Sequence, residues 1–390
     1  MKLRWLAVAM IAASTLLNYL DRSLLAAAAP VIINEFHLTS AQYGEINSAF
    51  SLVYAFTAPL AGLFLDAVGL NLGMMTAVGV WSLAGALTPL AATLPLLFLT
   101  RVVLGVSEAA GIPSTGKGFA TYLEPKELAL GTASNSVGVT LGGILAPLVM
   151  AAMAPRWGWR WAFVVCGVAG LVWIPLWWAT AQVTPKQPAS KTAPAPLGDV
   201  LADRRFWGVV FTNMFVMMLF ALWTAWTTLY FFKVWHFPVE IANRYFAWIP
   251  PVFGGLGGFG GGWIMLHWIK GGMRPVAARL RLAGFAAAFL LLSATIPLMP
   301  TAPLAAAMIS LSSFFTMALS VAVYALPVDL FGPARAGFSI AALTSAYGLM
   351  TAVLSPLIGM MVDRDAFGTM IAVFSVTPFM GYAILRMTIE

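Results

Sequence analysis

The sequence predicts an all-α membrane protein of twelve transmembrane helices. Three observations lead there: an apolar composition, apolar runs of membrane-crossing length from end to end, and basic residues sorted into alternate gaps. Of the 390 residues, 61% are hydrophobic and 9% are charged, against about 25% charged in an ordinary soluble domain. So few polar residues cannot cover a water-facing surface. Each apolar run is near the ~20 residues that a helix needs to cross hydrocarbon. The period-two alternation of an outer-membrane barrel strand is absent.

Six spans fall near 3–33, 42–66, 72–93, 96–122, 128–154 and 160–181. Composition then changes, with Pro185, Lys186, Pro188, Lys191, Pro194 and Pro196 among small polar residues. That stretch reads as an exposed linker. Six more spans follow near 206–232, 242–268, 275–299, 301–326, 336–362 and 367–387. The chain thus divides into a six-helix half over 1–182, a linker over 183–205 and a second six-helix half over 206–390. The opening Met1-Lys2-Leu3-Arg4-Trp5 has the charge of a signal peptide, but Asn18, Asp21 and Arg22 interrupt the apolar run behind it. An uncleaved first helix is expected.

With both ends on one side, fourteen of the 21 Lys and Arg lie on that side and five on the other, while Arg22 and Arg101 lie inside spans. The positive-inside rule then places both termini and the linker in the cytoplasm. The net charge of +7 is spread between spans rather than gathered in a patch, which argues against a nucleic-acid partner and for a lipid bilayer. The single Cys166 excludes an intrachain disulfide and reads as a packing residue. His37, His236 and His267 fall near span ends. No metal-ligand spacing, nucleophile–base pattern or phosphate loop is present, so neither an enzyme nor a cofactor or metal is expected.

Four ionisable residues sit well inside spans: Asp21 and Arg22 in the first, Arg101 and Glu108 in the fourth. Each costs roughly 2.5–3.5 kcal/mol at a bilayer centre on insertion scales, so each needs a partner or a water-filled cavity. Arg101 and Glu108 are two turns apart on one helix face, at ~10 Å. Asp21 and Arg22 point ~100° apart and cannot simply pair with each other. Asn18 and Tyr19 extend their polar stripe along helix 1. One reading is an ion-pair cluster that only locks helix 1 to helix 4. Buried pairs are weak stabilisers, however, because desolvation offsets the Coulomb gain. Two arginines with two carboxylates fit anion binding with proton uptake better.

Other polar stripes are less specific, since small and hydroxyl residues also mediate plain helix packing. Asn47, Ser51 and Tyr54 share a face of span 2, where cavity lining is favoured for Tyr54. Thr344, Gly348, Thr351 and Ser355 share a face of span 11, open between lining and packing. Gly131, Asn135, Gly138 and Gly142 read as close packing in span 5, with Asn135 either an interhelical hydrogen bond or a substrate ligand. The glycines from Gly254 to Gly262 make span 8 either a hinge or a tight crossing. Most tryptophans suit interfacial belts, and Trp223 and Trp226 are candidates for substrate contact. Lys117 points away from the Arg101–Glu108 face, towards the cytoplasmic boundary.

The halves echo each other weakly: Ala146-Pro147-Leu148 in span 5 matches Ser355-Pro356-Leu357 in span 11, each behind a glycine, Gly138 and Gly348. Two six-helix halves joined by a cytoplasmic linker is the layout of major facilitator transporters, whose substrates bind between the halves near the midplane. Within that superfamily, Asn18-Tyr19-Leu20-Asp21-Arg22 resembles the helix 1 signature of the anion:cation symporter family. Arg101 and Gly105 with Glu108 resemble its helix 4 pattern. Asn135-Ser136, Gly138, Ala146-Pro147 and Gly158-Trp159-Arg160-Trp161-Ala162-Phe163 resemble its helix 5–6 region. The likeness is strong over the first half and loose over the second.

The family's bacterial hexuronate and aldonate transporters are the nearer likeness, with vesicular glutamate carriers and sialin more distant. The resemblance implies proton-coupled import of a small organic anion across a bacterial inner membrane by a protein working as a monomer. It implies Arg22 and Arg101 as carboxylate ligands, with Tyr19, Tyr54 and Asn135 beside them, and Asp21 and Glu108 as proton carriers. Departures stand beside it. The loop after span 2 keeps Gly62 and Asp66 but has Ala67, Leu70 and Asn71 where basic residues are usual, so its charge latch is in doubt. Ala58 stands where sugar-acid transporters often have glutamine, which keeps a smaller or less hydroxylated carboxylate open. Proton-antiport efflux of drugs is the competing function, against which two intramembrane arginines count.

Overall fold

The structure, a computed structural model, describes residues 2–124, 127–185 and 198–389. Among these, eleven helices are long and apolar enough to cross a membrane. They are α1 (Lys2–Glu35), α2 (Ser40–Val68), α3 (Leu70–Leu87), the pair α4 (Leu94–Glu108) and α5 (Gly111–Tyr122), α6 (Leu128–Trp157) and α7 (Trp159–Val183), followed after a short α8 (Gly198–Ala202) by α9 (Arg204–Val234), α12 (Pro275–Leu290, continued by a 3-10 stretch), α13 (Ala302–Phe331), α14 (Pro333–Asp363) and α15 (Phe367–Ile389). Between α9 and α12 lie α10 (Val239–Tyr245) and α11 (Ile249–Lys270). α11 is the twelfth crossing. Its 22 residues suffice in length, but the glycines between 254 and 262 dilute its hydropathy. Of the linker, only its ends and α8 lie within the described residues.

The expected spans hold with shifted ends. Span 4 is broken at Ala109–Ala110, directly after Glu108. Large apolar side chains such as Leu63, Trp263 and Leu298 point outwards and are well exposed, as a lipid-facing perimeter requires. The interfacial reading of the tryptophans fails for several: Trp81, Trp177, Trp223 and Trp226 are fully buried. Trp223 donates Nε1 to Ser312 Oγ at 3.2 Å, and Trp226 meets Tyr43 edge-on. Both serve helix packing rather than substrate contact.

α2 and α14 run antiparallel and make the most extensive helix contact in the molecule. Methyls on Gly44 or Gly359 would overlap the backbone of the facing helix, and Ser48 Oγ donates to the Ala352 carbonyl at 2.5 Å. At the face opposite the chain ends, the Asp363 carboxylate accepts from the backbone amides of Ser40 at 2.8 Å and Ala41 at 3.0 Å. Lys233 of α9 reaches Ser40 Oγ at 3.2 Å. Asn243 of α10 donates to the Ala27 carbonyl at 2.9 Å. The helices before and after the linker therefore close on each other at this distal face. Towards the chain ends the two helices part, and Phe56, Leu60 and Leu63 of α2 are exposed.

Overpacking this seam is expected to loosen the protein. Gly359→Val should cost about 1–3 kcal/mol, read as a lower melting temperature in detergent; an unchanged melting temperature would show that α2 and α14 can part freely there.

The glycine-rich α11 is a tight crossing. A methyl on Gly257 would overlap the Phe314 carbonyl of α13, and one on Gly261 would come within 2.9 Å of Ala318. The α6 glycines likewise sit against neighbours: Gly138 and Gly142 abut the backbone of α1. Small residues let helix backbones approach in this way.

Candidate functional site

A cavity of about 640 Å³ opens between the helices that precede and follow the linker, within the ~300–1,000 Å³ of small-molecule sites. Its charged lining residues are Arg22, Arg101 and Glu108. All three come from α1 and α4, where an ionisable side chain survives burial only by finding a partner.

Glu108 is 1% exposed and accepts from Arg22 Nε at 2.6 Å. The helix 4 glutamate thus pairs with the helix 1 arginine, not with Arg101 on its own helix. Three rings fix the Arg22 guanidinium, with centroids at 4.4 Å for Tyr54, 5.0 Å for Phe50 and 5.3 Å for Tyr19. A cation over aromatic faces gains roughly 0.5–2 kcal/mol per contact. The side chain remains 23% exposed, so the same group that holds Glu108 also faces the cavity. Arg101 reaches the wall but is only 2% exposed. It donates to Thr88 Oγ1 at 3.2 Å and lies over the Phe163 ring. The two arginines are therefore unequal: one is presented and one is recessed.

Asp21 is buried away from the cavity, against Gly85 of α3. It forms no ion pair among the described residues, and its Oδ1 lacks a hydrogen-bond partner. Asn18 lies beside Gly111 at the α4–α5 break. Tyr19 lines the cavity. Tyr54 does not: it is buried behind Arg22 and stacks on Phe50. Asn135 is also absent from the lining, and its Oδ1 accepts from Thr15 of α1 at 2.6 Å. Its role as a ligand gives way to the interhelical hydrogen bond. Lys117 stays at the boundary, donating to Asp66 at 2.7 Å, and so gives Asp66 the basic partner that its own loop lacks. Ala58 packs in the core beneath the first helices and forms no part of the cavity.

Several lining residues escaped the sequence reading. Thr132, Ser136 and Thr140 face the cavity from α6, as do Phe220, Thr224 and Thr228 from α9. Each set recurs at i, i+4, i+8, the helix-face spacing. The signal was present but resembled ordinary packing residues, and the neighbouring glycines and tryptophans drew attention to adjacent faces. Of the span 11 stripe, Thr351 and Ser355 line the cavity with Tyr347, while Gly348 packs on Ala55 of α2.

Residues 11–355 match the family model of the Major Facilitator Superfamily. The chain is 26% identical to a hexuronate transporter of Escherichia coli K12, over 98% of this chain and 93% of that one. It is 29% identical to a galacturonate transporter of Dickeya chrysanthemi, over 69% and 83% respectively. A probable sulfoacetate transporter of Cupriavidus necator is 26% identical, over 89% and 84%. In fold it is similar to a bacterial homologue of the human lysosomal transporter Spinster, crystallised inward-facing and occupied, with a TM-score of 0.83 at 19% identity over 100% of this chain and 97% of that one. These likenesses agree with the resemblance carried by helices 1 and 4. The chain belongs to the Major Facilitator Superfamily and is a multi-pass membrane transporter rather than an enzyme.

Proposed function

We propose that the protein is a proton-coupled symporter that imports a small organic anion, a sugar acid or another carboxylate, across the bacterial inner membrane. The observation that carries this reading is Arg22: one guanidinium, held by three rings, binds a buried carboxylate through Nε and faces the cavity. A substrate carboxylate at that guanidinium competes with Glu108 for the same positive charge. Binding of the anion then favours protonation of Glu108, and the coupling is reciprocal. The named substrates of the relatives, hexuronate and galacturonate, are carboxylates of the kind such a site accepts. A cationic drug would meet a fixed guanidinium at the wall, which disfavours drug efflux.

The test is uptake of radiolabelled sugar acids into proteoliposomes. Accumulation driven by an inward proton gradient, and abolished by a protonophore, is the expected result. Accumulation that ignores the proton gradient would remove the coupling.

The orientation is part of the proposal, with both termini and residues 183–205 in the cytoplasm and the monomer as the working unit. A reporter fused at Lys191 should be active only in its cytoplasmic form; the opposite result would invert the topology.

A further inference from the structure

The cavity is chemically polarised. At one pole, α1 and α4 supply the guanidinium of Arg22. The opposite wall, from α6, α9 and α14, supplies no Lys, Arg or His among the described lining residues, but a set of hydroxyls. Those hydroxyls are already committed as donors. Thr132 donates to the Leu128 carbonyl at 3.0 Å, and Ser136 to that of Thr132 at 3.2 Å. Thr224 donates to the Phe220 carbonyl at 2.7 Å, and Thr351 to that of Tyr347 at 2.9 Å. A hydroxyl has one proton and two lone pairs, so a serine or threonine bonded back onto its own helix offers a ligand oxygen acceptors.

We infer that this wall is a specificity filter that accepts a polyhydroxylated monocarboxylate and rejects both a second carboxylate and an unhydroxylated chain, with Thr132, Ser136 and Thr224 as the residues that read the hydroxyls. The inference rests on the anion reading above and adds what the far end of the substrate must be. With its carboxylate on Arg22, a substrate turns its remaining groups to the wall. Hydroxyl protons there find acceptors. A second carboxylate finds oxygen lone pairs and no fixed cation. An alkyl chain leaves buried acceptors without their solvating water, which is unfavourable.

Three acids of equal carbon number separate these cases: glucuronate, with one carboxylate and several hydroxyls; glucarate, with two carboxylates; and hexanoate, with no hydroxyl. Each is titrated against the purified full chain in detergent by thermal shift, since a ligand of the folded state raises its melting temperature. Glucuronate should half-saturate the shift at a concentration roughly tenfold or more below either of the others, a ratio equal to one 1.4 kcal/mol step in binding free energy. Glucarate or hexanoate matching glucuronate overturns the filter and leaves the carboxylate pole standing. No shift with any of the three overturns the anion reading and the filter with it. Ser136→Ala and Thr224→Val should weaken glucuronate severalfold and leave hexanoate unchanged. Equal weakening of both acids would assign these residues to packing and overturn their role. The three-acid comparison needs only the unmodified protein, so it decides the filter even if a variant fails to fold.

Discussion

Arg22→Lys is expected to weaken substrate binding by about 10–100-fold, the range that follows from losing a charge-assisted interaction of roughly 1.5–3 kcal/mol. The lysine keeps the charge but not the plane or the fork. The native guanidinium does three things at once: it lies among the rings of Tyr19, Phe50 and Tyr54, binds Glu108 through Nε, and faces the cavity. An ammonium at the end of a flexible stem can satisfy Glu108 or the substrate, but not both in the same geometry. Arg101→Lys should do less harm to affinity, because Arg101 is recessed and already donates to Thr88. Binding to the two purified variants, measured by titration of the melting temperature, checks both statements. Near-native affinity in Arg22→Lys would sink the carboxylate role of this residue, whatever Arg101→Lys does.

The second large effect is expected at Glu108. Glu108→Gln should abolish accumulation driven by a proton gradient while preserving exchange of labelled for unlabelled substrate. Exchange needs no net proton movement, and the glutamine carbonyl can still accept from Arg22 Nε. In the structure, Glu108 Oε2 takes the Arg22 hydrogen bond while Oε1 is buried with no partner. A carboxyl in that setting has one oxygen committed and one available to hold a proton. Comparing gradient-driven uptake with counterflow in proteoliposomes separates coupling from binding. Full gradient-driven accumulation by the variant would exclude Glu108 from coupling. Loss of both activities would assign it instead to holding Arg22 in place. Asp21→Asn belongs in the same assay, because Asp21 lies outside the cavity against Gly85.

The fold was legible because membrane crossing imposes length and apolarity on each segment separately, and α1 to α15 follow those runs. The least apolar crossing, α11, still declared itself by its position between the spans on either side. The site was legible in part, for a related reason. Asp21, Arg22, Arg101 and Glu108 stand out because a charge in hydrocarbon needs an explanation, and three of them do line the cavity. Their pairing was not legible. Helical spacing puts Arg101 and Glu108 on one face, but which helix turns that face towards Arg22 is decided by packing between α1, α2 and α4. Neutral residues were harder still. Thr132, Thr224, Thr15 and Asn135 are chemically alike, and only the rotation of each helix decides whether such a group meets the cavity or another helix.

The closure at the distal face is made from unusual material. A helix start leaves its first amide hydrogens without intrahelical acceptors. In α2, Thr39 Oγ1 accepts from the third amide, at Gln42, while the first two, at Ser40 and Ala41, are taken by Asp363 of α14. When the two helices part, water can take over as acceptor for both amides and as donor to the freed carboxylate. The exchange replaces one set of hydrogen bonds with another of similar strength, so the net difference is far smaller than the gross bond energies. A buried apolar plug would instead bias the equilibrium strongly towards the shut form. Capping one helix with the side chain of another thus makes a fastening that is nearly isoenergetic when undone, as a cycle that must run through both forms requires.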